Sequence, residues 1–218
     1  MRIHITLTKT ENLIPFNYQP MLTGALHKWI GQNALHDDVS LYSFSWITGA
    51  DISNRGLQFK KEGNFFISSY KSELLEKVIS GIQSDPSIGH GLFAKEVIIQ
   101  KEPEFKNEAT FFCASPVFIK RRVDDTIKHY TYKDDESGIL LTETLVTKLE
   151  KAGLPANGVS VEFDKKYHSP KTKVIYYNEI GNRVSICPVI VKGTPEQIAF
   201  AWNVGVGNST GIGFGALK

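Results

Sequence analysis

Six histidines stand in a chain of 218 residues, and two of them, His27 and His36, lie close together around one apolar-periodic stretch. An imidazole with an ordinary pKa of about 6.5 gives or takes a proton near neutral pH, so two brought together can serve as general acid and general base. On an ideal helix the nine steps between them turn through about 900°, which puts them on opposite faces. They converge only if the helix stops before His36 and the chain turns back, which Gly31 and the polar pair Gln32-Asn33 allow. Asp37 or Asp38 could orient the His36 ring or raise its pKa. The plainer alternatives are a surface histidine favoured at a helix C-terminus for His36, and a polar-stripe histidine on an amphipathic helix for His27. His4, His90, His129 and His168 read as structural or surface residues.

A second group of residues suits anions. The run Gly205-Val206-Gly207-Asn208-Ser209-Thr210-Gly211-Ile212-Gly213-Phe214-Gly215 is dense in glycine. Without Cβ atoms its backbone N–H groups can approach a phosphate closely. The helix before it presents its C-terminus, so the helix dipole gives no help. The alternative is a tight connection between a helix and a strand. Two basic runs stand apart from this tail. Lys120-Arg121-Arg122 is one; Lys165, Lys166, Lys171 and Lys173 around Tyr167 make the other, which contains no acid. Lysines interleaved with an aromatic suit phosphate tracking with base stacking, although solvated hairpins have the same composition.

Bulk properties narrow the classes. Hydrophobic residues make up 41% and charged residues 22%, the balance of a globular protein able to bury a core. A formal charge of +2 points to local patches rather than a global field for any anionic partner. Residues 1–100 carry nine basic and nine acidic side chains, whereas residues 158–218 carry seven and four. No Cys/His spacing fits zinc and no P-loop or dinucleotide fingerprint occurs, so neither metal nor cofactor is expected. Cys113 and Cys187 sit in apolar runs and read as free thiols in a reducing cytoplasm. No run of about 18 apolar residues predicts a membrane span, and Met1-Arg2-Ile3-His4-Ile5 alternates like a strand rather than a signal peptide.

The elements that must position these residues follow from periodicity. Residues 2–9 alternate as a strand, and Leu22, Leu26, Trp29 and Ile30 predict a helix over 18–34. Residues 41–48 and 64–69 read as strands, with the interval 56–63 a connection of some strand character. A helix over 71–82 and a strand over 92–100 complete the order β-α-β-β-α-β of a ferredoxin-like module. The charged, proline-bearing stretch 101–108 is the linker. Beyond it, residues 109–120 predict a strand broken near Pro116, 124–137 an exposed hairpin tip or loop, and 138–151 a helix. Strands are expected over 158–163, 172–177 and 182–192, the last with Pro188 at an edge or bulge. Thr194 caps a helix over 194–204 with Pro195 in its first turn. The expectation is an α+β chain of two tandem ferredoxin-like, RRM-like modules, 1–104 and 105–218, the second more elaborated.

With these placements the tail, glycine–apolar–glycine, a polar insert and then Gly211-Ile212-Gly213-Phe214-Gly215 before a terminal strand, resembles the C-terminal signature of the repeat-associated RNA-binding superfamily of CRISPR systems. The first half resembles one branch of it, the repeat-processing endoribonucleases. That likeness rests on Pro15-Phe16-Asn17-Tyr18-Gln19, Leu22-Thr23-Gly24-Ala25-Leu26, Leu35-His36, Leu41-Tyr42-Ser43-Phe44-Ser45 and Phe65-Phe66-Ile67-Ser68-Ser69. It is strong at the tail and over residues 15–46, and weak from about 121 to 180.

The resemblance implies RNA cleavage without a metal, the 2′-hydroxyl attacking the adjacent phosphate to leave a 2′,3′-cyclic phosphate and a 5′-hydroxyl. It puts the catalytic histidine at His36 and a second group at His27, where several members carry tyrosine. Members that place a lysine shortly after the histidine are not matched, since Val39-Ser40-Leu41 follows here; either His27 or Lys28 would then stabilise charge, or the chain would be slow or inactive alone. The implied partners are CRISPR repeat RNA and subunits of a CRISPR effector complex, for a monomer or homodimer. A non-catalytic RNA-binding subunit shares the fold and tail, and the His27/His36 pair is what separates the two readings. A third alternative is a tandem ferredoxin-like domain that binds a protein partner.

Overall fold

The computed structural model describes residues 1–31 and 39–218. Its first part runs β1 (Arg2–Leu7), β2 (Thr10–Ile14), α1 (Gln19–Ile30), β3 (Tyr42–Phe44), β4 (Asp51–Ile52), β5 (Leu57–Phe59), β6 (Gly63–Ser69), α2 (Ser72–Ser84), β7 (Ser87–Gly89) and β8 (Leu92–Gln100). The main sheet has the order β3-β6-β1-β8-β7, and its pairings are antiparallel. Counting only the four longer-range strands, this is the second–third–first–fourth order of a ferredoxin-like module. The helices form where apolar residues recur every three or four positions: Leu22, Ala25, Leu26, Trp29 and Ile30 on α1, Leu75, Val78 and Ile82 on α2. Both lie on the sheet face that presents Ile3, Ile5 and Leu7, each fully buried. Short β2, β4 and β5 form a small separate sheet that periodicity did not reveal, apart from the strand character of 56–63.

The second part runs β9 (Glu108–Phe111), β10 (Val117–Val123), β11 (Thr126–Tyr130), α3 (Ser137–Lys151), β12 (Ser160–Phe163), β13 (Lys171–Tyr177), β14 (Ile180–Ile186), β15 (Val189–Lys192) and α4 (Pro195–Val204), then a 3₁₀ turn at Thr210–Ile212. One sheet has the order β12-β15-β9. The chain end extends it, Phe112 and Lys218 exchanging backbone hydrogen bonds of 3.0 and 2.9 Å. This reproduces the ferredoxin-like order of the first part. Two inserted hairpins, β10–β11 and β13–β14, build a further sheet of order β11-β10-β14-β13.

Two expectations change in detail. Residues 182–192 are not one strand: Ile186 ends β14 and Val189 begins β15 in another sheet. Pro188 lacks the N–H that a continuous ladder needs, and the chain changes sheets there. Within 124–137 the hairpin tip is the turn at 124–125, Thr126–Tyr130 returns as a strand, and turns over 132–136 lead into α3. The helix over Pro195–Val204 begins as expected, with Thr194 and Gln197 in a reciprocal capping box and Pro195 in the first turn. Both cysteines are free thiols, and that of Cys113 donates to the Cys187 carbonyl at 2.9 Å.

The open face of the main sheet meets α4. Arg2 is 3% exposed there. Its guanidinium carbon lies 3.8 Å from the Phe66 ring centroid and 3.6 Å from that of Trp202. It donates to the carbonyls of Trp202 at 3.1 Å and Leu217 at 2.8 Å. Burial lowers the guanidinium to about 9, so it stays charged at neutral pH. Ser43 Oγ donates to Asn203 O at 3.2 Å and Trp46 N to Ala114 O at 3.0 Å, joining the same two parts. Arg2→Met keeps the length but withdraws both donors. It should lower stability by about 2–4 kcal/mol, the cost of stranding two buried carbonyls. A denaturant midpoint that falls at constant m would show it.

Candidate functional site

The glycine-rich tail is packed inside the protein. Gly205, Gly207, Gly211, Gly213 and Gly215 are all buried, and only Asn208, Ser209 and Ile212 of residues 205–217 are partly exposed. At Gly207 (φ +74°) a Cβ would meet the Phe118 carbonyl at 2.5 Å, and at Gly215 (φ +66°) the Val206 carbonyl at 1.9 Å. These two glycines let backbone approach backbone, so the neighbour at their Cα atoms is the protein itself. The loop is held from several elements. Gln19 Nε2 on α1 donates to Gly213 O at 2.9 Å, and the Tyr42 hydroxyl on β3 donates to Gly211 O at 3.3 Å. Asn208 takes the place of a strand beside β10: its N–H donates to Phe118 O at 2.7 Å and its Oδ1 accepts from Lys120 N at 2.9 Å. Burial, offset by a Ser40 hydrogen bond, pushes the Tyr42 phenol up to about 12, so it remains a donor.

Lys148 anchors the loop from α3. It is 3% exposed, and its ammonium donates to Val204 O and Gly205 O at 3.2 Å each and to Thr210 Oγ1 at 3.1 Å. The carbonyls are orphans at the C-terminus of α4, where a cation is favoured. Burial lowers the Lys148 ammonium to about 7. Sequence reading missed this residue, yet a signal existed: Leu141, Leu145, Lys148 and Leu149 form the buried stripe of α3, so the lysine interrupts an apolar face. Between α3 and the loop opens a cleft of about 530 Å³ whose lining includes Ser40, Arg121, Glu143, Thr144, Thr147 and Ser209.

The catalytic candidates lie around the end of α1. Helix α1 stops at Ile30, where Gly31 turns at φ +81° and donates to His27 O at 3.0 Å. Helix α1 therefore ends before His36, the first of the two conditions for bringing the histidines together; the turn back of the chain falls outside the described residues. His36 itself lies outside the described residues. His27 is half-buried, one turn beyond Thr23 and two beyond Gln19, on the side of α1 that reaches the glycine-rich loop. Lys28 points elsewhere, donating to Asp85 Oδ2 at 2.7 Å, Ser87 O at 2.6 Å and Ser87 Oγ at 2.8 Å. Those contacts from Lys28 and Ser87 hold the Asp85 carboxyl below its ordinary range. Beyond residue 38, Val39 and Ser40 line the cleft beside Gly211.

The basic runs separate by environment. Arg121 is tied into the fold, donating to Leu140 O at 2.7 Å, Glu143 Oε2 at 3.2 Å, Thr144 Oγ1 at 3.1 Å and Asn208 Oδ1 at 3.3 Å. Arg122 pairs with Asp125 at 3.6 Å and Lys165 with Asp135 at 3.5 Å, both at the surface. The backbone N–H of Lys166 donates to Asp164 Oδ1 at 2.9 Å. Lys120, Lys171 and Lys173 are exposed, and by register they share one face of the sheet β11-β10-β14-β13. Among the described residues no three His, Cys, Asp or Glu side chains gather as a cation site, and no helix is long and apolar enough to cross a membrane.

Comparison with known proteins agrees with this architecture. The family model described as CRISPR associated protein Cas6, C-terminal, matches residues 100–218. A putative CRISPR-associated endoribonuclease-like protein Cas6 of Pyrococcus furiosus is 25% identical over 238 aligned positions, covering 100% of this chain and 98% of the relative. A solved structure described as CRISPR associated protein Cas6 aligns with a TM-score of 0.82 at 23% identity, covering 100% and 98% of the two chains. Another, described as a RAMP protein binding different RNA substrates, aligns at 0.83 with 18% identity over 100% and 98%. The structural likenesses show a shared fold of tandem ferredoxin-like modules.

Replacing Lys148 by methionine leaves the Val204 and Gly205 carbonyls without their donor. The expected loss is about 1–3 kcal/mol in thermal or denaturant unfolding. Amide exchange should accelerate first at Thr210–Ile212, since that turn loses its tether to α3. Unchanged protection there would show that the loop is held without the lysine.

Proposed function

This chain belongs to the CRISPR-associated Cas6 family, and on that premise we propose that it binds CRISPR repeat RNA and cuts precursor transcripts. The observation that carries the reading is the closeness of two features. The glycine-rich loop receives Gln19 from α1, and Ser40, just past the interval containing His36, lies against Gly211. Ser40, just after that interval, thus borders the loop, and the helix that leads into the interval contacts the loop through its first residue. The relative in Pyrococcus furiosus is described as endoribonuclease-like, and one similarly folded protein as binding different RNA substrates.

The proposed chemistry uses the RNA's own 2′-hydroxyl. It attacks the adjacent phosphorus while the 5′-oxygen leaves, giving a 2′,3′-cyclic phosphate and a 5′-hydroxyl. The step needs a base for the 2′-hydroxyl, an acid for the 5′-oxygen and in-line alignment. In this reading His36 is the principal proton-transfer group and His27 its partner. Lys28 is the weaker choice for charge stabilisation, because its ammonium is already held by Asp85 and Ser87. Hydroxyls of the cleft and the partly exposed Asn208 and Ser209 are suited to sugar and phosphate contacts.

Single-turnover cleavage of repeat RNA tests the proposal. Cutting should persist in excess EDTA and stop when the nucleotide 5′ to the break is 2′-deoxy. His36→Ala should lower the rate by about 10²–10⁴ while affinity changes little, since the imidazole acts on the transition state. His27→Ala should fall in the same direction, and the double variant should be little slower than the slower single one. Full cutting of the deoxy substrate would exclude the mechanism, and a wild-type rate for His36→Ala would remove its central residue.

A further inference from the structure

The glycine-rich loop rests on a charge that nothing around it neutralises. Lys148 belongs to the buried stripe of α3 and is 3% exposed. Its three N–H groups meet three uncharged acceptors, Val204 O, Gly205 O and Thr210 Oγ1. Among the described residues no carboxylate lies within 4 Å of the ammonium. Glu143, which lines the same cleft, pairs with Arg121 of β10, and Glu162 of β12 pairs with Lys192. Glu150 and Lys151 of α3 are exposed. The last turn of α4 and the loop over 205–215 hold no titratable side chain, and β3 brings only the Tyr42 phenol, which donates to Gly211 O. Burial without a counter-charge disfavours the charged form, and it lowers the Lys148 ammonium to about 7.

Gain or loss of that proton rearranges the contact. An ammonium is a donor three times over, so it occupies both carbonyls and the Thr210 oxygen. The Thr210 hydroxyl proton then turns elsewhere. A neutral amine has two N–H groups and a lone pair, so it can keep both carbonyls and accept that hydroxyl proton instead. Among the described residues Lys148 is the one hydrogen-bond partner of Thr210 Oγ1, which leaves the hydroxyl either direction. Lys148 and Thr210 line the same cleft as Asn208 and Ser209. The Asn208 side-chain N–H groups and the Ser209 hydroxyl have no acceptor among the described residues. Alone, the fold favours the neutral amine. Between about pH 7 and 10.5 the unfolded chain holds a proton that the folded chain lacks, so this residue adds stability as pH rises through that window. An anion in the cleft opposes that preference, because its charge is felt strongly in a poorly solvated setting.

We propose that Lys148 is a proton-linked counter-charge for one phosphate group bound in the cleft at Asn208 and Ser209, so that the phosphate and one proton enter together. The inference rests on the reading of the chain as an RNA-binding protein. It adds a regulation which that reading does not contain, affinity governed by pH through a buried lysine rather than through the histidines. Linkage is reciprocal: a phosphate that draws a proton onto Lys148 is a phosphate bound less tightly once that proton is lost. The phosphate comes either from the RNA chain or from a free ion, and the chemistry of the site is the same for both.

NMR of the unaltered protein carrying 13Cε-labelled lysine reads Lys148 directly, its signal assigned by through-bond correlation to its backbone. The RNA is a copy of the repeat from the host's own CRISPR array, with a 2′-deoxy nucleotide 5′ to the break so that it stays uncut. Saturating RNA should raise the Lys148 pKa by about one unit, the shift that a tenfold coupling produces, and inorganic phosphate should raise it by less. Affinity for the RNA should fall from pH 7 to pH 9, by at most about tenfold per pH unit for one proton. Lys148→Met should lack that fall. Both proteins keep His27 and His36, so the difference between their profiles belongs to Lys148, whereas a merely structural lysine would lower affinity by one factor at every pH. Should Lys148→Met fail to fold, the NMR titration of the unaltered protein still decides. If RNA binds while the Lys148 titration stays in place, or the two affinity profiles run parallel, the counter-charge is wrong and the RNA reading stands. If no RNA binds at any pH, the RNA reading falls and inorganic phosphate decides alone. A raised Lys148 pKa would then support a free ion as the ligand, and an unmoved one would overturn the inference.

Discussion

The fold depends on one close backbone crossing, in which the carbonyl of Val206 lies where Gly215 would otherwise carry a Cβ. The Val206 N–H returns a 3.0 Å bond to Gly215 O, so the glycine-rich run closes on itself as a tight pin. Everything around it is arranged to satisfy that pin. The α4 carbonyls at its root take the Lys148 ammonium, its middle takes Tyr42 and Gln19 from the first part of the chain, and Asn208 completes β10. A buried ammonium is tolerable only where hydrogen-bond acceptors replace its water, and here three do. Glycine in this family tail is therefore a packing requirement before it is a recognition device, and any RNA contact by the loop falls to Asn208, Ser209 and Ile212 at its partly exposed tip.

The same crossing determines how the two modules meet. The chain end adds to the sheet of the second module, and Leu217 of that end gives its carbonyl to Arg2 of the first strand. Arg2 is charged, nearly dry and flanked by two aromatic rings. Arginine suits this position because its guanidinium is weakly hydrated and stacks on aromatic faces. First strand and last residues are thus joined across the whole sequence, which fixes the glycine-rich loop relative to α1. A site shared between α1 and the loop needs that fixity, since catalytic groups displaced by an ångström lose much of their effect.

Periodicity and capping chemistry made most of the architecture legible. The stripes of α1 and α2, the alternation of β1 and the Thr194 cap all read as expected, because each is a local consequence of burial or of orphan N–H groups. What was not legible was non-local. Strands β2, β4 and β7 run only five, two and three residues, too short for alternation to register. Pro188 signalled an edge but not a change of sheet. At the site, the run Lys120-Arg121-Arg122 looked uniform, and only the fold separates Arg121, bound into α3, from Lys120, free on the sheet face. Lys148 and Arg2 were overlooked because charged residues are expected at the surface: Lys148 interrupts the apolar stripe of α3, whereas Arg2 shares the register of His4 and Thr6 and is buried by contacts from the second part of the chain.

The near-neutral total charge follows from this division of labour. Several surface lysines and arginines are matched by nearby acids, as at Lys28–Asp85 and Lys192 with Glu108 and Glu162. Such exposed pairs add little stability, typically below about 1 kcal/mol. They cancel the long-range field over most of the surface, leaving +2 for the whole chain. Unmatched cations then mark local patches: Lys120, Lys171 and Lys173 share one sheet face, while Lys9, Arg55 and Lys71 stand without a carboxylate within 4 Å elsewhere among the described residues. In 0.15 M salt the field of those cations reaches only about 8 Å. A ligand is therefore selected by contact with that face rather than attracted to the protein at large. For a protein that must distinguish one RNA among many polyanions, a small net charge with a local concentration of unpaired cations favours specificity over indiscriminate affinity.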